Sequence, residues 1–270
     1  MRVIAVTGGK GGVGKTTMSI NLAIAMAKQG RRVLLFDADL GLANVDVMLD
    51  LQIKRNINDY FQGLCQLQDV CVQGPEHITI IPGASGIQQL TELNRNKLVE
   101  LIKSFSTLTD EYDTLIVDTA SGISHHVIDL TQATQNILLV VCNEPSSLVD
   151  SYALVKILHQ KYKRKNFGVV VNKVADGQEG YDVFSTFQSA LSQFVHIGTQ
   201  YLGYIPRDDF IRIATHERCA VVEKFEQSSA AGAFHMLCHG IEHWCDQSSE
   251  AGGIQFFFER TIREPQESEV

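Results

Sequence analysis

The amino-acid sequence predicts a doubly wound α/β fold, in which helices cover both faces of a mostly parallel sheet. Short runs of apolar and β-branched residues recur from Arg2 to Ile205, and longer segments with helical periodicity separate them. Most of the short runs are continuous rather than alternating, as expected for parallel strands that are buried on both faces. Regular alternation of strands and helices implies parallel strands joined by right-handed crossovers.

The predicted elements follow one another along the chain without an internal repeat or a Pro- or Ser-rich linker. The predicted strands are Arg2–Thr7, Arg32–Asp37, Ile78–Pro82, Thr114–Asp118, Asn136–Cys142, Phe167–Val171 and Gln200–Ile205. The predicted helices include Thr16–Gln29, Arg95–Leu108 and Ser146–Tyr162. Ser146 or Ser147 is predicted to cap the third of these helices, because a serine hydroxyl accepts hydrogen bonds from the first backbone N–H groups of a helix.

Composition and charge indicate a cytoplasmic protein with reduced thiols. The six cysteines are scattered and form no C-x-x-C pair, a pattern that does not suit the disulfide framework of a small secreted domain. The first strand leads directly into a glycine-rich segment, so we expect no signal peptide, and no apolar run approaches the ~18 residues of a transmembrane helix. A net charge of −8 disfavours strong DNA binding without sequence preference, which usually needs a basic face.

The glycine-rich segment between the first strand and the first helix has the pattern G-x-x-x-x-G-K-[ST], formed by Gly9, Gly14, Lys15 and Thr16. Glycines let backbone N–H groups curl around phosphate oxygens, and the helix N-terminus adds its positive dipole end. Lys15 is predicted to neutralise β- and γ-phosphate charge, and Thr16 to ligate Mg²⁺. The alternative, a glycine turn without a ligand, is disfavoured because strand, loop and helix are in register. The predicted ATP-binding residues of this loop are Gly9, Lys10, Gly11, Gly12, Val13, Gly14, Lys15, Thr16 and Thr17.

A second lysine, Lys10, directly follows the first glycine of the loop, although a generic phosphate loop does not need it and it repels Lys15. The segment Lys10–Thr16 resembles the deviant Walker A motif of the SIMIBI class of P-loop ATPases, which includes MinD, ParA and the nitrogenase iron protein. This resemblance implies an ATP-dependent sandwich dimer, in which Lys10 reaches the partner's nucleotide and acts in catalysis beside Lys15, much as an arginine finger does. It also implies that the segment from Glu144 to Ser151 lines the dimer seam, with Glu144 and Asp150 as interface or partner-binding residues. The alternative for Lys10 is a solvated loop lysine.

Carboxylates end two of the predicted strands, at Asp37 and Asp39 and at Asp118. The carboxyl ends of parallel strands lie along the edge that carries the phosphate loop, where open α/β sheets bind ligands. From the residues alone, these groups can coordinate Mg²⁺ indirectly, orient the attacking water or cap a helix. The resemblance implies that Asp39 opens switch I and positions the water, and that Asp118 belongs to Walker B and switch II. Both are therefore predicted to be catalytic and, with Thr16, to form the magnesium site, whereas Asp37 is expected to support the loop.

Polar residues after the later strands are candidates for binding the nucleotide base. Asn172 follows the strand Phe167–Val171, and its amide can both donate to and accept from an adenine edge, the use that the resemblance implies. Pro206 and Asp208 lie in a loop that resembles the family's second base-contacting stretch, which acts largely through its backbone. A simple turn is the alternative at both places.

The composition shifts near the C-terminus, and the predicted division is a P-loop ATPase domain over 1–245, a flexible joint over 246–253, an amphipathic helix over 254–264 and a tail over 265–270. Such a helix can lie on a membrane or dock in a groove of its own domain. Its acidic and basic residues balance, which argues against strong binding to anionic lipid. Protein docking and transient membrane contact therefore both stay open. The residues that form its apolar face are Ile254, Phe257, Phe258, Thr261 and Ile262.

Nearly the whole chain resembles the FlhG/FleN family of MinD-like ATPases, in the phosphate loop, in the stretches 37–46 and 117–123, and in the phenylalanine-rich ending. The resemblance implies a slow, Mg²⁺-dependent ATPase that controls flagellar number, restrains a transcription activator of the FleQ type and opposes the GTPase FlhF. The loop and switch motifs are shared across MinD relatives. A ParA-type ATPase for DNA segregation and a MinD-type ATPase for division-site placement therefore stay as alternatives.

Overall fold

The computed structural model describes residues 1–85 and 95–247. Its strands are β1 (Arg2–Thr7), β2 (Val33–Ala38), β3 (Val72–Gln73), β4 (Thr79–Ile81), β5 (Thr114–Thr119), β6 (Asn136–Cys142), β7 (Phe167–Val174) and β8 (Gln200–Pro206). Its helices are α1 (Lys15–Lys28), α2 (Val45–Met48), α3 (Ile57–Phe61), α4 (Leu67–Val70), α5 (Arg95–Ser104), α6 (His125–Ala133), α7 (Pro145–Tyr162), α8 (Gly177–Phe194), α9 (Asp209–His216), α10 (Val221–Lys224) and α11 (Ser229–Gln247). Short 3₁₀ turns lie at Pro75–His77 and Phe105–Leu108.

The eight strands form one sheet with the order β3-β4-β2-β5-β1-β6-β7-β8. The strand pairs are parallel except for β3 with β4, which is antiparallel. This arrangement confirms the doubly wound, mostly parallel sheet that the sequence predicts. The edge strand β3 was not predicted, because a strand of two residues is too short to show an apolar pattern.

Two layers of helices cover the sheet, and successive residues of each central strand point alternately into one layer and the other. On one face, Ile4 and Val6 of β1 pack with α1 and with the Phe234 side of α11. On the other face, Val3 of β1 packs with Leu98 and Leu101 of α5. Further along the same face, Leu139 of β6 packs with Leu154 of α7. All residues of β2, β5 and β6 are buried, and each fully buried large apolar side chain contributes roughly 1.5–3 kcal/mol. This double burial explains why the strands appear in the sequence as continuous apolar runs.

Helix α7 starts one residue earlier than predicted, and its cap differs from the prediction. Its N-cap residue is Glu144, with Pro145 in the first helical turn and no side-chain cap. Proline is well suited to that position because its missing N–H has no partner there in any helix. The predicted serine cap is therefore wrong: the hydroxyl of Ser147 is buried and accepts a hydrogen bond from the Cys142 N–H, 3.1 Å away.

The last described helix, α11, continues to Gln247, so the first two residues of the segment predicted as a flexible joint are helical. Arg2 forms an ion pair with Asp246, and Arg31 forms one with Glu242 at 2.7 Å. These contacts hold the end of the helix at the edge of the sheet where β1 begins. The rest of the predicted joint, the predicted helix 254–264 and the tail 265–270 lie outside the described residues. Within the described ranges, no helix is long and apolar enough to cross a membrane.

Candidate functional site

The phosphate loop connects the buried strand β1 to α1 at the carboxyl edge of the sheet. Gly12 and Gly14 have φ angles of 77° and 95°, in the left-handed region that glycine adopts without a steric penalty. Left-handed residues at such close spacing bend the backbone so that N–H groups gather on the concave side. Gly14 is also the N-cap of α1 and provides no side-chain cap. The first N–H groups of α1 are therefore available to an anion.

Helix α7 braces the phosphate loop from one side. A Cβ atom on Gly9 would lie 2.1 Å from the backbone carbonyl carbon of Asp150, so only glycine fits at this position. The Gly9 N–H donates to the hydroxyl of Ser151, at 3.4 Å. The start of α7 and the phosphate loop are thus in direct backbone contact.

Lys15 lies in the concavity of the loop with only 9% of its surface exposed. Burial lowers the pKa of its ammonium group, and the negative charges of Asp118 and Asp39 oppose that decrease. A nearly buried cation at the N-terminus of a helix attracts a multiply charged anion such as a nucleotide phosphate.

Asp118 is buried at the end of β5, close to the first turn of α1. Its Oδ1 accepts a hydrogen bond of 2.8 Å from the hydroxyl of Ser19, whereas its Oδ2 has no hydrogen-bond partner among the described residues. Burial raises the pKa of this carboxyl, and hydrogen bonds from Thr16 and Ser19 oppose the rise. A buried carboxylate oxygen without a partner, next to a threonine hydroxyl, fits Mg²⁺, which prefers oxygen ligands and retains much of its water. The structure therefore brings together Thr16 and Asp118, two of the three residues predicted to bind the metal.

Asp37 organises the segment predicted as switch I. Its Oδ1 accepts from the N–H of Asp39 at 3.2 Å, and its Oδ2 accepts from the N–H groups of Asn44 and Val45 at 2.9 and 3.0 Å. One buried carboxylate thus holds both ends of the loop, as expected for a supporting residue. Burial and the neighbouring Asp118, its register partner in the sheet, raise the pKa of Asp37. Asp39 itself is half-buried and close enough to Lys15 and Asp118 to influence the pKa of each.

Lys10 lies on the outer side of the loop and forms an ion pair with Glu144 of the same chain. This contact raises the pKa of Lys10 and lowers the pKa of Glu144, and the charge of Asp150 further favours the ammonium form of Lys10. The side chain of Lys10 remains 35% exposed. The lysine that the resemblance assigns to the partner's nucleotide is therefore held at the surface by its own chain.

On the base side, the predicted residues lie at the same edge but already have protein partners. The amide of Asn172 donates to the carbonyl of Val13 at 2.7 Å and accepts from the N–H of Lys173 at 2.9 Å. The carboxylate of Asp208 caps two helices, through the N–H of Phe210 in α9 and the N–H of Ala230 in α11. The side chain of Asp208 is therefore occupied in forming the fold.

Comparison with known proteins agrees with this geometry. The family model described as the CobQ/CobB/MinD/ParA nucleotide binding domain matches residues 4–218. The antiactivator FleN of Pseudomonas aeruginosa is 44% identical over 98% of this chain and 95% of its own length. The chain belongs to the MinD/ParA family, on its FlhG/FleN branch. A second relative from this branch, the flagellum site-determining protein YlxH of Helicobacter pylori, is 32% identical over 80% of this chain and 74% of its own length.

Solved structures of MinD proteins share the fold. MinD of Pyrococcus horikoshii, solved as a complex with Mg-ADP, matches with a TM-score of 0.76 and 26% identity, over 93% of this chain and 99% of that chain. The cell division ATPase MinD of Pyrococcus furiosus matches with a TM-score of 0.75 and 28% identity, over 90% and 98% of the two chains. The protein is thus a MinD/ParA-type ATPase with a nucleotide-binding domain whose phosphate loop and buried carboxylates suit a nucleotide with magnesium.

Three polar residues of this MinD/ParA-type site were not predicted as site residues. Ser19 follows Lys15 by one helical turn, so helical spacing alone places it on the same face of α1. Ser151 and Lys173 reach the loop from α7 and from the end of β7. Their contacts span more than a hundred residues of sequence, so only the fold reveals them, although Lys173 directly follows a predicted base contact.

Proposed function

We propose that this protein is a slow, Mg²⁺-dependent ATPase that works as an ATP-gated dimeric switch and controls the number and placement of flagella. The observation that carries the proposal is the position of Lys10, partly exposed beside the phosphate loop of a chain that is 44% identical to the antiactivator FleN. A lysine that contributes nothing to its own phosphate site is suited to a phosphate on a second copy. ATP then both fills the site and joins two chains.

Dimerisation depends on ATP because Lys10 exchanges one ion-pair partner for another. In the single chain, Lys10 is paired with the carboxylate of Glu144. The γ-phosphate of an ATP bound to a second copy carries more negative charge than a carboxylate and therefore competes for the lysine. Hydrolysis removes that phosphate, after which Lys10 returns to Glu144 and the dimer separates.

Exposed apolar side chains around the same edge support a nucleotide-dependent interface. Leu42 in the switch I loop is 70% exposed, Ile123 after switch II is 51% exposed, and Val149 at the start of α7 is 65% exposed. Apolar groups clustered near a functional site are typical of a surface that a partner covers. A second copy placed across the phosphate loops would bury all three.

The residues of one chain have separate roles in hydrolysis. Lys15 would neutralise charge on the β- and γ-phosphates, and Thr16 with Asp118 would hold Mg²⁺, which would stabilise the negative charge on the phosphates. Asp39 orients the attacking water. Asp37, by holding the backbone of switch I, keeps Asp39 in place.

We infer the regulatory output from the similarity to FleN and YlxH. We assign the dimer a flagellar transcription activator of the FleQ type as its binding partner, and the GTPase FlhF as the factor that it opposes. The C-terminal segment supplies transient contact with the membrane or with the protein's own domain. Hydrolysis then limits how long the activator is restrained.

The test is deletion of the gene in its host, followed by counting flagella on single cells by electron microscopy. Loss of an antiactivator should increase the number of flagella, and the wild-type gene supplied in trans should restore the normal number. A Lys15→Ala gene should not restore it, because its product lacks the phosphate contact. An unchanged flagellar number in the deletion strain would rule out the flagellar role.

The ParA-type alternative makes a different prediction about DNA. A segregation ATPase binds DNA when loaded with ATP, and that binding weakens steeply with salt. The net charge of −8 argues against it, so DNA retardation at low salt should show no ATP-dependent shift. A strong, salt-sensitive shift that requires ATP would favour the ParA-type function.

A further inference from the structure

Side chains from the ends of two neighbouring strands donate to two consecutive carbonyls of the phosphate loop. The ammonium of Lys173 donates to the carbonyl of Gly12 at 2.7 Å. The carbonyl of Val13 accepts from the amide of Asn172 at 2.7 Å and from the thiol of Cys142 at 3.6 Å. Both carbonyls are therefore held from outside the loop.

This anchoring determines where the loop's N–H groups point. In a planar trans peptide, the carbonyl and the N–H of the next residue point in opposite directions, and the described residues contain no cis peptide bonds. A carbonyl of Gly12 that is directed at Lys173 turns the N–H of Val13 away from it. The carbonyl of Val13 likewise turns the N–H of Gly14 away from Asn172. Both N–H groups then face the concave side of the loop, where phosphate oxygens bind.

The backbone of Lys173 is itself in an unusual conformation. Its φ angle is 62°, in the left-handed region that residues with a Cβ atom rarely adopt. Hydrogen bonds on both sides maintain this conformation: its N–H donates to Asn172, and its carbonyl accepts from the guanidinium of Arg207 at 3.2 and 3.3 Å. The strained conformation directs the chain of Lys173 back across the loop, which an extended residue at the end of β7 would not do.

We propose that Lys173 is a positioning residue for nucleotide binding, which fixes the direction of the phosphate-binding N–H groups by holding the Gly12 carbonyl. This role rests on the proposed ATP-binding function of the loop. It differs from recognition of the base, because it acts on the phosphates of any nucleotide. It also gives Asn172 a second task, since the same amide that was predicted to read adenine holds the next carbonyl.

The test compares Lys173→Met, which removes the donor but keeps the length of the side chain, with Lys173→Arg, which keeps the charge and donors. Lys165→Met is the matched control, because Lys165 is an exposed lysine just before the same strand, at the opposite edge of the sheet. Titration calorimetry gives the Kd for ADP and for GDP at low and high salt. Amide NMR spectra of the nucleotide-free protein report the Val13 and Gly14 N–H groups directly.

Lys173→Met should weaken ADP binding about tenfold, the usual effect of losing one hydrogen bond to a charged group. The factor should be the same for GDP and should persist at high salt, where general attraction between charges is screened. The Val13 amide signal should shift before any nucleotide is added. Lys173→Arg should recover part of the affinity, and Lys165→Met should match the wild type.

Two results would overturn the positioning role: a loss confined to adenine nucleotides, or Val13 and Gly14 amide signals that are unchanged in Lys173→Met. A loss of affinity that disappears at high salt would also overturn the positioning role. Such a result would mean that Lys173 only attracts phosphate through its charge. If the wild-type protein bound neither nucleotide, the proposed function itself would fail. The amide signals would then still decide whether Lys173 holds the loop.

Discussion

Replacement of Asp118 by asparagine should make the protein more stable while abolishing its ATPase activity. The carboxylate of Asp118 is buried beside that of Asp37, and its Oδ2 lacks a hydrogen-bond partner within the described residues. Burial of an ionised group without full compensation costs free energy, as the raised pKa of this carboxyl indicates. Asparagine has the same shape, keeps an oxygen that can accept from Ser19 and carries no charge.

The size of the gain follows from the balance of these contacts. Neutralising the carboxyl removes its desolvation cost and its repulsion by Asp39, but it also removes an attraction to the buried ammonium of Lys15. Replacement of buried charges by neutral groups of similar volume is often neutral or stabilises a protein by about 1–4 kcal/mol. For a chain of this size, about 2 kcal/mol raises Tm by roughly 4–8 °C.

The gain should depend on pH in a direction that the pKa shift fixes. Because the folded-state pKa of Asp118 is raised above its unfolded value, its ionised form destabilises the fold at neutral pH. This penalty decreases as the pH falls below the folded-state pKa of about 6, and it disappears only near the unfolded value of 3.8, where the carboxyl is neutral in both states. The difference in Tm between Asp118→Asn and the wild type should therefore be largest at pH 7.5, roughly half as large at pH 5 and small near pH 4.

Differential scanning calorimetry of the nucleotide-free protein across this pH range, with a phosphate-release assay, measures both effects. Asp113→Asn is the control, because Asp113 precedes the same strand and its pKa is lowered to about 2 by hydrogen bonds from Arg32. A lowered pKa means that the ionised form stabilises the fold above the unfolded pKa, so Asp113→Asn should lower Tm at pH 7.5. An Asp118→Asn protein that is less stable than the wild type at pH 7.5, or a gain that does not shrink toward pH 5, would refute the reasoning.

Three further substitutions test the switch. Asp39→Ala should leave nucleotide binding intact and trap the ATP-bound dimer, because the proposed role of Asp39 in orienting the attacking water would be lost; normal phosphate release by the purified variant would rule this out. Glu144→Gln should lower the concentration of ATP analogue needed for dimerisation, because Lys10 loses its ion-pair partner in the same chain. An unchanged concentration in analytical ultracentrifugation would contradict the proposed exchange of partners. Gly14→Ala should lower the free energy of unfolding by about 1–3 kcal/mol and weaken ADP binding. The reason is that the φ angle of Gly14 is 95° and a Cβ atom would lie 2.5 Å from the amide nitrogen of Asn172. Calorimetry that finds the wild-type Tm and Kd would show that the loop adapts.

The central strands could be predicted because burial on both faces requires apolar residues at consecutive positions, which is visible in the sequence. Strands such as β1 and β6 are buried on both faces and appear as continuous apolar runs, so their limits were predicted without error. Strand β3 has only two residues and shows no such pattern. The sequence misplaces the start of α7 because serine is a common helix cap, whereas Pro145 fits the first turn and Ser147 is a buried residue of the helix itself.

The site was predictable where adjacent residues form a motif, and not where distant segments meet. The loop around Lys15 and the strand-end carboxylates Asp37 and Asp118 follow from local pattern and sheet geometry. The use of Asp208 to cap two helices depends on α11, which begins about twenty residues later, and no local signal announces it. The ion pair of Lys10 with Glu144 likewise joins residues 134 positions apart, so the sequence pointed to both residues without showing that they meet in one chain.

The central claim is that ATP turns this chain from a monomer into a dimer through Lys10. Analytical ultracentrifugation of the wild type and of Lys10→Ala, each with ADP and with a slowly hydrolysed ATP analogue plus Mg²⁺, tests it most directly. The wild type should be a monomer with ADP and a dimer with the analogue, whereas Lys10→Ala should bind the analogue with near wild-type affinity and remain a monomer. A Lys10→Ala dimer that forms with the analogue, or a wild type that stays monomeric, would contradict the account.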